Sequence, residues 1–399
     1  MSAREIHVVI AGVSVAGIKV AKTVAALSKA GYPNLRITLV DRNAYTYHAL
    51  GAPRGIVDQE FGQKLILPLA NLLSAESPKH QFIQASLTSV TTNNTVYLST
   101  GQSLTYDFLV LATGSRNNRP AHLTASSIDG ARAEARRLFE NVAAATSVLI
   151  VGGGAVGVEM AGEIAGAYPN KKVTLVHSGS RLLPLNFKPA ISDGVVAKLQ
   201  RLGVTVVLNE KVAIPSNTIF DSSVRPLTLV GASGHEYASD LQILATGTHL
   251  ETDFMIPLET ALNASLRDTR GAIKVNSHLQ LDTADRTYSN IYVPGDVNNL
   301  PMGAKYAMKA AEQGANVGNN IVALIKNPQA TGALKPWDGS LMDLILVPIG
   351  KQMGVFQGMG MTLGKSWFGD VMARNMKGKD YFLSQKLKDF PPGTGNVSV

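Results

Sequence analysis

Two stretches of this chain repeat one grammar, an apolar run followed by a glycine-rich turn and an Ala/Val-rich segment. Residues 6–17 read IHVVIAGVSVAG and residues 147–157 read SVLIVGGGAVG. Each continues into a segment of helical composition, Ile18–Ala30 and Val158–Tyr168, and then into a second apolar run, Arg36–Asp41 and Lys172–His177. Each half closes on a matching phrase, YDFLVLATGS at Tyr106–Ser115 and SDLQILATGTH at Ser239–His249. Strand, turn, helix and strand, twice over, predict an α/β chain with two parallel sheets and a dinucleotide site at the start of each first helix. In such a turn the first Gly permits the tight bend, the second lets the backbone approach a pyrophosphate, and the third lets helix and strand pack closely. The N–H groups and positive dipole end of the helix then hold the phosphates.

Composition narrows the chemistry. The 399 residues suit two or three domains, and 45% hydrophobic against 17% charged residues can bury a sizeable core. Cysteine is absent, which excludes disulfide scaffolds, Cys-ligated metal or iron–sulfur centres and thiol redox catalysis. No metal site is expected. The net charge of +8 comes without a block of five like charges or an interleaved aromatic–basic stretch, so it gives little support to nucleic-acid binding. No apolar run reaches the ~18 residues of a membrane span. A short polar stretch, Met1–Glu5, precedes the first strand, so no cleavable targeting signal is expected, and Ser2 stands where N-myristoylation needs Gly.

The two copies differ. In the first, Gly12, Val15, Ala16 and Gly17 follow the pattern while Ser14 takes the place of the second Gly; its second strand ends at Asp41, followed by Arg42, where a carboxylate can accept hydrogen bonds from adenosine ribose hydroxyls. The second copy has all three glycines, Gly152, Gly154 and Gly157, with Val156 between. Its second strand ends at His177-Ser178, with Arg181 close by. Without an acid there, a 2′-phosphate is not repelled, so both NADH and NADPH remain open. The ATG phrases contribute Ala112, Thr113 and Gly114 to the first site and Gly247 to the second. Two dinucleotide folds in one chain point to a flavin in one and a nicotinamide in the other. A third phrase, IYVPGDV at residues 291–297, returns to the first unit and places Asp296 to bond a ribityl hydroxyl of FAD.

At this point the chain resembles the two-dinucleotide-binding flavoprotein oxidoreductases, within them the apoptosis-inducing-factor-like and ferroptosis suppressor branch. The passages that carry the likeness are GGGAVGVEMAGEIAGAYPNKKVTLVHS (Gly152–Ser178), DRNAYTYHALGAPRG (Asp41–Gly55) and IYVPGDVNNLPMGAKYA (291–307). The resemblance implies non-covalent FAD, NADH or NADPH as donor and a quinone as acceptor. It implies an FAD domain (1–121 and 251–328) interrupted by an NAD(P)H domain (122–250), with a small α+β C-terminal domain (329–399). It places Glu159 at the nicotinamide–flavin junction, where its alternative role is to favour the helix dipole. His48 and Arg54 would lie along the FAD, Arg54 at its pyrophosphate, and Lys305 at the flavin or the quinone. The segment Ala307–Gly314 faintly resembles a quinone-site helix. A monomer or homodimer is expected in the cytoplasm, with peripheral contact to the mitochondrial outer membrane or lipid droplets through the basic, aromatic stretch 365–390. Two alternatives stand beside this reading: a reductase of an iron–sulfur protein, and a flavin-bound NAD(P)H-sensing, apoptosis-type signalling protein.

Overall fold

The computed structural model describes residues 4–394 apart from 217, 219, 284, 302, 304 and 340–343. Ser2 and the tail beyond Thr394 lie outside the described residues. The strand Ile6–Ala11 is apolar along nearly its whole length because both of its faces are covered. Val8 and Ile10 face one layer, with the helix Val15–Lys29, and Val9 and Ala11 face the other, with Leu109 and Leu111 of the strand Phe108–Leu111. This strand sits inside a six-stranded sheet ordered Gln280–Asp282, Thr287–Tyr292, Phe108–Leu111, Ile6–Ala11, Leu35–Asp41, Gln81–Gln84. Every neighbouring pair is parallel except the outermost, Gln280–Asp282 against Thr287–Tyr292.

The second glycine turn opens a second sheet, four strands ordered Thr205–Val207, Lys172–Val176, Ser147–Val151, Leu241–Leu244, all parallel. The chain passes out to it and back along an antiparallel pair, Ser115–Asn117 with Thr248–Leu250. The domain divisions proposed from the sequence, 121/122 and 250/251, fall beside this pair. The helix Ala307–Lys326 returns to pack along Val15–Lys29, after which an antiparallel three-stranded sheet, Ile345–Ile349, Met353–Gly358 and Met361–Leu363, carries the helices Trp367–Met376 and Leu383–Leu387. Ile345, Val347, Ile349 and Val355 share one core with Val148, Ile164 and Leu199 of the second unit. An ion pair of 2.5 Å between buried Lys198 and Asp370 ties the same two units. Among the described residues no helix is long and apolar enough to cross a membrane.

Candidate dinucleotide and electron-transfer site

In the first turn Gly12 has φ +91°, and a Cβ there would lie 2.3 Å from the Ala112 carbonyl oxygen; a Cβ on Gly17 would lie 2.0 Å from the Gly12 oxygen. Neither position can carry a side chain. Ser14 is different: it is exposed at the N-cap with φ −121°, and its hydroxyl makes no capping bond. A serine is therefore accommodated where Gly is usual. Val15 and Ala16 begin the helix. Asp41 turns its carboxylate back onto the turn, accepting hydrogen bonds from the Val13 N–H (2.8 Å) and the Asn43 N–H (2.9 Å). Burial holds this carboxyl above its usual pKa. It lines a cleft with Arg42, Ala85, Leu87, Thr113, Glu251 and Phe254, and Arg42 pairs with Glu251 at 3.3 Å. Thr113 Oγ1 donates to the Glu251 carbonyl at 2.7 Å, and Gly114 follows with φ +70°.

Across from this turn, Asp296 Oδ2 accepts a 2.7 Å hydrogen bond from the Ser115 hydroxyl. Lys305, expected at the flavin or the quinone, is engaged within the fold. Its ammonium donates to the carbonyls of Asp296 (2.6 Å) and Asn298, so it holds the 295–298 turn in shape. Burial brings its pKa down to about 8. The buried Gln313 fixes the same turn, its Oε1 accepting from the Gly295 N–H (2.7 Å) and the Asn298 amide (2.8 Å). Sequence reasoning read Ala307–Gly314 as a faint quinone helix; the structure directs Gln313 to the Asp296 turn instead.

The second turn repeats the first. Gly152 has φ +120° and lies against the Ala245 carbonyl, and Gly157 lies against the Gly152 oxygen, where a Cβ would meet backbone at 2.2 and 2.0 Å. Gly154 is the N-cap of the helix Ala155–Ala167, its side opens onto free space, and no side chain caps the helix. That open cradle fits a pyrophosphate. Val156 lies half-buried in the first turn of the helix, and Gly247, two residues past Ala245, has φ +128°. The His177 ring packs between Gly153 and Gly179, its Nδ1 accepting the Gly153 N–H at 3.1 Å.

The helix carries two acids one turn apart, and both are buried. Glu159, 3% exposed, accepts a hydrogen bond and ion pair from Lys377. Burial pushes its carboxyl up to about 7, against the pull of Lys377. A carboxyl this buried, past the first turn, does not act as a solvated partner of the helix dipole. Glu163 takes a bidentate pair from Arg54 (2.7 and 2.8 Å) and the Tyr381 hydroxyl (2.9 Å). Arg54 also donates to the Gly378 carbonyl and lies over the Tyr381 ring. The expected role of Arg54 at the FAD pyrophosphate is thereby corrected: its guanidinium is engaged by a carboxylate of the second unit. His48 is corrected likewise. Its Nε2 donates to the Tyr381 carbonyl at 2.7 Å, and burial lowers its pKa to about 4, so it braces the C-terminal segment as a neutral ring. Lys377, Tyr381 and Glu163 were missed in the sequence. Glu163 left one trace, a second acid four residues after Glu159 in an otherwise Ala/Gly-rich helix; Lys377 and Tyr381 left none.

Residues 6–311 match the family described as pyridine nucleotide-disulphide oxidoreductase. Ferroptosis suppressor protein 1 of Homo sapiens is 30% identical over 386 residues, covering 96% of this chain and 95% of that protein. Apoptosis-inducing factor homolog A of Dictyostelium discoideum is 27% identical, covering 88% and 85%. Among solved structures, the sulfide:quinone oxidoreductase of Aquifex aeolicus superposes with a TM-score of 0.67 at 19% identity, covering 97% and 93%; at that identity the likeness is one of fold. The disulfide chemistry in the family's description has no thiol here, since the chain contains no Cys. This chain belongs to the pyridine nucleotide-disulphide oxidoreductase family, in its ferroptosis suppressor and apoptosis-inducing-factor-like branch, and is an FAD-dependent NAD(P)H oxidoreductase.

Proposed function

We propose that the chain passes electrons from NAD(P)H to a quinone drawn from a membrane surface. When bound, the flavin carries two electrons from the nicotinamide to the acceptor. The first glycine turn, Asp41 and Asp296 would hold the FAD, and the second turn, from Gly152 to Gly157 with Gly247, the nicotinamide dinucleotide. Full reduction of a quinone takes up two protons as well as two electrons. Glu159, with a carboxyl titrating near neutrality, can keep one proton beside Lys377 Nζ, in the range where general acids work best.

The observation that carries this reading is the two-sided C-terminal segment. Inward it supplies Lys377 and Tyr381 to the buried acids. Outward it exposes Trp367 (75%), Phe368, Met376 and, on the hairpin before it, Met359 (66%) in the turn and Met361. Lys351, Lys365, Arg374 and Lys379 are exposed on the same stretch of chain. Exposed aromatic and thioether groups on a segment that also carries exposed cations suit the interface of an anionic bilayer, where a lipid-soluble acceptor is dissolved. The lack of any thiol pair supports an acceptor taken from outside the chain. The net charge of +8 favours a second reading, an acidic iron–sulfur protein as acceptor. The test is oxidation of NADH and NADPH by the FAD-loaded protein with and without a short-chain ubiquinone. Strong stimulation that is insensitive to salt supports the quinone; flavin reduction without quinone turnover sinks it.

A further inference from the structure

The two halves of the chain supply their own control for reading nicotinamide preference. In the first half, the residue ending the second strand, Asp41, accepts the N–H of the residue after the first glycine, Val13. In the second half, His177 directly follows the second strand, Lys172–Val176, and accepts the N–H of the residue after the first glycine, Gly153. The imidazole thus occupies the station of the ribose-binding carboxylate. Its Nδ1 is an acceptor and its other polar neighbour is the Arg181 backbone, so the ring pins the following loop onto the glycine turn. A Cβ on Gly153 would lie 2.7 Å from the ring and one on Gly179 2.8 Å from Nε2, so both glycines make room for it.

The stretch of chain around that station carries no acid. No Asp or Glu occurs between Glu163 and Asp193. Glu210, whose N–H donates to the His177 carbonyl, turns its carboxylate to Ser233, where it accepts from that residue's N–H at 3.2 Å and from its hydroxyl. Ser178 and Ser180 are exposed, and Arg181 is half-buried with one long contact, 3.5 Å to the Leu185 carbonyl, out of a guanidinium with five N–H donors. A carboxylate at the strand end selects a free 2′-hydroxyl and repels a phosphate; a neutral ring followed by two hydroxyls and an arginine does the reverse.

We propose that the second site selects NADPH over NADH, with Arg181, Ser178 and Ser180 receiving the 2′-phosphate and His177 standing as the neutral replacement for the ribose-binding acid. The proposal rests on the second glycine turn being the nicotinamide site, and the experiment separates the two. FAD-loaded protein is titrated calorimetrically with 2′,5′-ADP and with 5′-AMP, which differ by the 2′-phosphate alone. The expected result is binding of 2′,5′-ADP at least ~10-fold tighter than 5′-AMP, the size of a charge-assisted hydrogen bond or two. Arg181→Ala lowers 2′,5′-ADP affinity about 10–100-fold with little change for 5′-AMP. His177→Asp, which can still accept the Gly153 N–H as Asp41 accepts that of Val13, reverses the preference. Gly154→Ala, which adds a methyl in the open cradle, weakens both probes. Equal affinities that both fall in Gly154→Ala overturn the selectivity and leave the site; affinities that Gly154→Ala does not change overturn the site and the proposal together.

Discussion

Replacing Lys377 by Met isolates the buried Glu159 carboxyl, and its consequence should be read as a function of pH. The pair is enclosed: the Glu159 side chain is 3% exposed and that of Lys377 is 10% exposed. With the cation present, burial already lifts Glu159 from 4.5 to about 7. Lys377 acts in the opposite direction through both its charge and its hydrogen bond, so its loss raises the carboxyl further. An acid whose folded pKa lies above its unfolded value contributes most below the unfolded pKa, and that contribution is lost as pH rises towards the folded one. In the native protein this window runs from 4.5 to about 7 and is closed above it. In Lys377→Met the window extends upward, and stability keeps falling by about 1.36 kcal/mol per pH unit. Over two units, from pH 7 to 9, the variant loses about 2.7 kcal/mol that the native protein keeps, short of the roughly 3–5 kcal/mol for an orphaned buried charge. At roughly 2.1 cal/mol/K per residue, about 0.8 kcal/mol/K over the 399 residues, this separates the unfolding midpoints by about 3 °C at pH 9 relative to pH 7. Intrinsic-fluorescence melting of the FAD-loaded proteins at several pH values measures it. The double variant Glu159→Gln/Lys377→Met should restore the native slope, because no ionisable carboxyl remains. Parallel native and variant profiles from pH 7 to 9 would refute the reasoning.

Gly157 and His48 give two further expected outcomes. Gly157→Ala places a methyl 2.0 Å from the Gly152 oxygen and should cost at least roughly 3 kcal/mol, whereas Gly154→Ala meets no protein atom within 4 Å and should melt as the native protein does; equal melting of the two would contradict the close approach of helix and turn. His48 is neutral in the fold with a pKa near 4 against 6.5 unfolded, so its stabilisation is present above pH 6.5 and drains away towards pH 4, up to about 3.4 kcal/mol; His48→Gln should flatten acid denaturation across that interval, and an unchanged slope would show that the ring charges freely in place.

The glycine turns, their strands and helices, and Asp41 were legible in the sequence because each is settled within a few tens of residues. Gly12 must pass the Ala112 carbonyl and Gly17 must touch Gly12 whatever the rest of the chain does, and only a residue without Cβ allows both. The α/β class followed from the spacing of those phrases, while the second unit set within the first was implied by the family resemblance. Ser14, a departure from the pattern, could be judged only in three dimensions, where its exposure and negative φ remove the conflict. The partners of the ionisable groups could not be read in the same way. Arg54 meets Glu163 across 109 positions of sequence, and Lys377 and Tyr381 meet Glu159 and Glu163 across 218. A side chain's charge is written in the sequence, but the group that neutralises it is chosen by which surfaces the sheets and the C-terminal segment bury together. Desolvation then enforces the pairing, since a carboxylate left alone in that interior would cost more than the fold can spare.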